Sequence, residues 1–196
     1  MVKFMHPEGL LEVITGPMFA GKTSELIKRI ERQIFAKRKA ALFKPSIDNR
    51  YSEDKVVAHN GLSYEAFVIP TTEEGVKMIY QKTKKEGFEV IGIDEVQFFP
   101  MSIVEILNKL ADEGIYVIAS GLNLDFKGDA FEVTKELLAM ADNIIYLTAI
   151  CSVCGREATR TQRLINGKPA PRDSPRILVG GMEAYEARCR KHHIVP

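Results

Sequence analysis

The chain has 196 residues, 45% hydrophobic and 27% charged, with 27 Lys and Arg against 26 Asp and Glu for a formal charge of +1. This composition excludes a disordered, collagen-like or coiled-coil chain, and the near-zero charge excludes a broad positive field for coating DNA. No stretch reaches the about 18 apolar residues needed to span a bilayer.

Residues 1–11 carry Lys3, His6, Pro7 and Glu8 among their apolar residues, which is not the pattern of a secretory signal. Three cysteines, an odd number, then point to a reduced, cytoplasmic setting in which they serve as metal ligands or core residues. Residues 10–15 (LLEVIT) predict a strand. Residues 23–38 predict a helix, with Leu26, Ile27, Ile30 and Ile34 on one face. Residues 39–44 (KAALFK) predict a second strand, and 45–61 a polar stretch with turn residues. A short strand follows at 64–69, then a helix at 71–86 with Thr71 or Thr72 as its cap. Further strands are expected at 88–93, 115–119 and 144–150, with helices at 102–113 and 134–141. Strands apolar on both faces and separated by helices predict an α/β fold with a parallel sheet covered on both sides.

The pattern changes near Cys151. Residues 1–150 are expected to form the α/β domain. Residues 151–196, rich in Arg, Pro and Gly, are too few for a core of their own and need support from a metal or from the main domain.

Residues Gly16, Pro17, Met18, Phe19, Ala20, Gly21, Lys22 and Thr23 match G-x-x-x-x-G-K-[ST] in full, between a predicted strand and a predicted helix. The glycines let backbone N–H groups turn toward an anion, and the positive end of the following helix faces the phosphates. Lys22 can reach the β- and γ-phosphates, and the Thr23 hydroxyl can ligate Mg²⁺. Ser24, next along the helix, completes the expected ATP-binding set. Residues 90–95 (VIGIDE) form an apolar strand ending in two carboxylates. Asp94 is placed to hold Mg²⁺, and Glu95 to orient a nucleophile and take its proton. These motifs do not choose between water, which makes an ATPase, and a substrate hydroxyl, which makes a kinase.

Cys151-x-x-Cys154 and Cys189-x-x-His192 suit a tetrahedral Zn²⁺ bound by three thiolates and one imidazole. Four protein ligands make such a site structural. His193 also lies within reach, and the spacing favours His192. Residues 160–181, with Gly167, Pro169, Pro171, Pro175, Gly180 and Gly181, read as a loop that covers a second substrate. A nucleic-acid-binding zinc ribbon is a further reading, weakened by the balanced charge.

The runs GPMFAGKTSEL (16–26), FKPSIDNRY (43–51), IDEVQFF (93–99), SGLNLDF (120–126), LTAICSVCGREATRTQRL (147–164) and VGGMEAYEARCR (179–190) occur in order along nearly the whole chain. Together they resemble the zinc-containing thymidine kinases found in many bacteria and in animal cytosol. The resemblance implies a P-loop, RecA-like sheet with a C-terminal zinc-binding lasso domain. It also implies ATP- and Mg²⁺-dependent phosphorylation of the 5′-hydroxyl of thymidine or deoxyuridine, with Glu95 as general base and Arg50 near the transferring phosphate. By the same resemblance Thr161 and residues 179–185, including Val179, Gly180 and Tyr185, grip the thymine ring. Met18, Phe98, Leu122 and Phe126 join Tyr185 in lining the pocket, and residues 160–180 are the lasso. A homotetramer inhibited by thymidine triphosphate is implied as well; that it has no nucleic-acid or membrane partner is expected from the balanced charge and the lack of a long apolar stretch. The last metal ligand is often Cys in that family, whereas this chain offers only His192 or His193; Val96 stands where some members have Gly. Gln97 lies in a matched run, and the resemblance gives it no role.

Overall fold

A computed structural model describes residues 9–46, 55–57, 63–177 and 184–196. Six strands form one fully parallel sheet. In chain order they are β1 (Leu10–Gly16), β2 (Ala40–Pro45), β5 (Phe67–Ile69), β6 (Val90–Ile93), β7 (Tyr116–Leu122) and β8 (Asn143–Tyr146). Their spatial order is β5-β2-β6-β7-β1-β8. The short strands β3 (Lys55–Val57) and β4 (Ser63–Glu65) pair separately as an antiparallel ribbon. Helix α1 (Lys22–Phe35) covers one face of the sheet, and α2 (Glu73–Glu86), α3 (Ser102–Asp112) and α4 (Glu132–Met140) cover the other.

Alternation along the strands produces the two cores. Leu11, Val13, Ala41, Phe43, Ile91, Ile93, Val117 and Ala119 face α2, α3 and α4, packing on Val76, Ile79, Leu107 and Leu137. Ile14, Leu42, Val90, Tyr116 and Ile118 face α1, on Leu26, Ile27 and Ile30. Burial on both faces is why these strands read as continuous apolar runs. Among the described residues, no helix is long and apolar enough to cross a membrane.

The helix ends are set locally. The Thr72 hydroxyl accepts the Gly75 N–H at 3.2 Å and starts α2. Helix α1 stops at Phe35, short of the predicted Arg38. Lys37 turns left-handed (φ 65°), and its N–H and that of Arg38 bond back to Ile34 and Gln33.

The predicted strand at 144–150 is in fact two. β8 stays in the main sheet, while β9 (Ala149–Ile150) pairs antiparallel with β10 (Glu157–Ala158) across the Cys151–Cys154 turn. The expected strand at 64–69 also divides, at Ala66, into β4 and β5. The stretch read as a loop from residue 160 begins as a regular strand, β11 (Arg160–Ile165). It hairpins into β12 (Lys168–Pro169) and pairs with β13 (Tyr185–Arg188). Its buried residues are Thr161, Gln162 and Arg163, so hydrophobic patterning could not signal it. Gln162 is held instead by the chain end: its amide donates to Ile194 O and accepts the Ile194 N–H, both at 2.9 Å.

Candidate functional site

The candidate residues gather where β1, β6 and β7 end, the edge at which parallel sheets bind ligands. β1 leaves the sheet at Gly16, and α1 begins at Lys22. Gly16 has φ 148°, and a Cβ there would stand 2.1 Å from Leu147 O, so only glycine fits. Gly21 (φ 82°) and Phe19 (φ 66°) complete the curl of the loop. Lys22 lies buried with its ammonium donating to Pro17 O at 2.7 Å. Burial lowers its pKa, while Glu95 and Asp94 act in the opposite direction.

Thr23 Oγ1 donates to Asp94, 3.1 Å from Oδ2. Burial, reinforced by the Glu95 charge, raises the Asp94 carboxyl to about 7 despite that hydroxyl. A hydroxyl and a carboxylate side by side at the foot of a phosphate loop are oxygen donors of the type Mg²⁺ takes, and so fit that ion. Glu95 is left-handed (φ 49°, ψ 43°) and opens a single 3₁₀ turn, Val96–Phe98. Gln97, buried on that turn, donates from Nε2 to Glu95 Oε2 at 2.5 Å and accepts the Leu122 N–H on Oε1 at 3.1 Å. The pair of bonds ties the end of β6 to the end of β7.

The C-terminal part of the chain closes on this edge. The Met18 N–H of the phosphate loop donates to Thr161 Oγ1 on β11 at 3.0 Å. Two residues on, the Arg163 guanidinium lies 4.9 Å from the Phe126 ring centroid and 5.5 Å from that of Tyr185, and it donates to Pro175 O. Phe126, Arg163 and Tyr185 are all buried. Phe98 closes the turn after Glu95, and Leu122 ends β7 beside Gln97; both are half-buried. Two ion pairs strap the segment after β12 to the loop that carries Phe126. Arg176 reaches the buried Asp125 at 2.8 Å, and Arg172 reaches Asp129 at 3.0 Å. Arg50, Val179 and Gly180 lie outside the described residues. Gln97, Arg163, Arg172 and Arg176 received no role from the sequence; for Gln97 the signal was its place inside the IDEVQFF run.

Cys151, Cys154, Cys189 and His192 bring their ligand atoms within 4.8 Å of one another. The Cys154–Cys189 sulfurs are 3.9 Å apart, and His192 Nδ1 lies 3.7 Å from Cys151 Sγ and 3.4 Å from Cys189 Sγ. Tetrahedral Zn²⁺, with bonds of about 2.3 Å to sulfur and 2.0–2.1 Å to nitrogen, has edges of about 3.8 and 3.6 Å. The cluster thus fits a structural zinc. Burial opposes ionisation of Cys151, but the N–H groups of Cys189, Val153 and Cys154 and the His192 ring outweigh it and bring the thiol to about 5. His193 is occupied elsewhere, its Nε2 2.8 Å from Phe126 O. Phe19 and Ala20 of the phosphate loop pack against the apolar rim of this cluster, which includes Ala149, Ala158 and Ala187.

A family model described as "Thymidine kinase" matches residues 9–193. The chain is 79% identical over 195 residues to a protein named thymidine kinase from Thermococcus kodakarensis, covering 100% of this chain and 99% of that one. It is 58% identical over 189 residues to a protein of the same name from Pyrobaculum aerophilum, covering 95% and 100%.

Cys154→Ser will lower both zinc content and melting temperature and will weaken nucleoside binding indirectly; full zinc stoichiometry in that variant would refute the four-ligand set. Asp94 has a folded pKa raised above its ordinary 3.8. The native state therefore binds the proton more tightly than the unfolded chain. The carboxyl accordingly costs stability that grows as pH climbs from about 4 and levels off above about 7. Asp94→Asn should raise the melting temperature of the nucleotide-free protein more at pH 8 than at pH 5, while abolishing turnover. A gain independent of pH would mean that Asp94 is not the strained group.

Proposed function

The chain belongs to the thymidine kinase family, and from that premise we propose that it transfers the γ-phosphoryl group of ATP to the 5′-hydroxyl of thymidine. The observation that carries the reading is the divergence of two adjacent carboxylates: Asp94 turns to Thr23 beneath the phosphate loop, and Glu95 is bonded to Gln97 beside the end of β7. One side holds the metal and the other meets the nucleoside. Residues 16–24 cradle the triphosphate. Thr23 and Asp94 would hold Mg²⁺, which would offset the negative charge of the triphosphate.

Glu95 accepts the proton of the 5′-hydroxyl as that oxygen bonds to the γ-phosphorus and the bond to the ADP oxygen breaks. Lys22 balances the charge on the phosphoryl group in transfer, with Arg50 assigned the same task. Thr161, Val179, Gly180 and Tyr185 hold the pyrimidine, and Met18, Phe98, Leu122 and Phe126 complete the wall. The loss of one methyl is worth only about 1–3 kcal/mol in an apolar pocket, so deoxyuridine is also a substrate.

Thymidine triphosphate inhibits by presenting the base to the nucleoside pocket and its triphosphate to the loop. The chain acts as a homotetramer in the cytoplasm. Exposed apolar residues, Phe35 on α1 and Ile144 and Tyr146 on the edge strand β8, support assembly by offering apolar area.

With ATP and Mg²⁺ present, thymidine should sharply raise ADP production and yield the monophosphate; equal ADP release with and without nucleoside would make the protein an ATPase. Glu95→Ala should cut kcat by about 10²–10⁴-fold with ATP affinity nearly intact, and a loss of only a few-fold would put the base elsewhere.

A further inference from the structure

We infer that Gln97 is a positioning residue that fixes the rotation of the Glu95 carboxylate. The inference rests on the reading of Glu95 as the general base. Gln97 is buried, and both ends of its amide are engaged. The backbone N–H of Leu122 can only donate, so the end of the amide facing it must be the oxygen. The amide nitrogen is thereby turned toward Glu95, and it has only hydrogens to offer. Its 2.5 Å approach to Glu95 Oε2 is a donor meeting a carboxylate acceptor, with no ambiguity about which atom is which.

The seat for this amide is built into the backbone. A Cβ at Gly121 would stand 2.6 Å from Gln97 Oε1 and 2.9 Å from Val96 Cγ1. β7 therefore narrows to a glycine where the amide passes. On the other side, the left-handed backbone of Glu95, uncommon for a residue with a side chain, turns the chain into the 3₁₀ turn that carries Gln97. A glutamate has three side-chain torsions, and a half-buried one samples several rotamers unless something holds it. Gln97 holds it through a chain of two bonds that ends on the sheet itself. A misplacement of about 1 Å in a reacting group can cost about 10²-fold, so this tether bears directly on the rate.

The test is a double-mutant cycle read by steady-state kinetics with ATP, Mg²⁺ and thymidine. Gln97→Leu and the near-isosteric Gln97→Glu, which still accepts from Leu122 but sets a second carboxylate against Glu95, should each lower kcat by about 10–100-fold. The KM values for ATP and thymidine should stay within about three-fold. In a Glu95→Ala background, Gln97→Leu should cost less than about two-fold, because the group it positions is gone. Zinc content and melting temperature of each variant establish that it is folded, and Gln97→Glu serves if Gln97→Leu does not fold. An unchanged kcat would overturn the inference. So would a loss that multiplies undiminished onto Glu95→Ala, or one carried by the KM for thymidine. Near-normal turnover in Glu95→Ala alone would instead overturn the base assignment, a distinct result.

Discussion

Two carboxylates on consecutive residues, buried or half-buried beside one ammonium, are the constraint around which this edge of the sheet is organised. Burial first, and then the Glu95 charge, push Asp94 to about 7, while burial lowers Lys22 against the pull of both carboxylates. Ordinary extended backbone would send two successive side chains to opposite faces of the sheet. Ending the strand with a left-handed residue instead keeps both at its rim and points them at different partners. Such a conformation costs about 1–3 kcal/mol. It persists because Gln97, Leu122 and the 3₁₀ turn determine it from several sides. The tension is that of a site arranged for ligands that bring their own charge.

The C-terminal part of the chain is tied to the same edge rather than appended to it. The Met18–Thr161 bond and the packing of Phe19 and Ala20 on the cysteine cluster make the phosphate loop one wall of the zinc-binding region. His193, adjacent to a zinc ligand, reaches the backbone of Phe126, and Arg163 lies between Phe126 and Tyr185. The cluster that fits zinc thus lies between the phosphate-binding loop, which packs on its rim, and the residue next to His192 that reaches Phe126. Arg172 and Arg176 then strap the segment after β12 to Asp129 and Asp125. Only the second carboxylate is buried.

What the sequence made legible follows from what carries a local signal. The parallel sheet was readable because β1, β2, β6 and β7 are buried on both faces, and the phosphate loop because its backbone demands glycine at fixed offsets. The zinc set was readable because thiolate spacing is set by turn geometry. β11 was not, since its buried residues are Thr161, Gln162 and Arg163, stabilised by pairing and by bonds to residues far along the chain. Nor was the break between β8 and β9, where one apolar run serves two sheets. The spacing favoured His192 over His193, and the structure agrees: only the His192 ring turns to the sulfurs. Gln97 stood inside a matched run, but its role was not readable, because it depends on an N–H on a neighbouring strand.

The central claim is that Glu95, not solvent, faces the alcohol to be phosphorylated. A crystal structure with thymidine, Mg²⁺ and a non-hydrolysable ATP analogue tests it most directly. The account predicts a Glu95 oxygen within about 2.6–3.2 Å of the 5′-hydroxyl, with that hydroxyl in line with the γ-phosphorus. A carboxylate turned away from the sugar, with water or another side chain in its place, would contradict it.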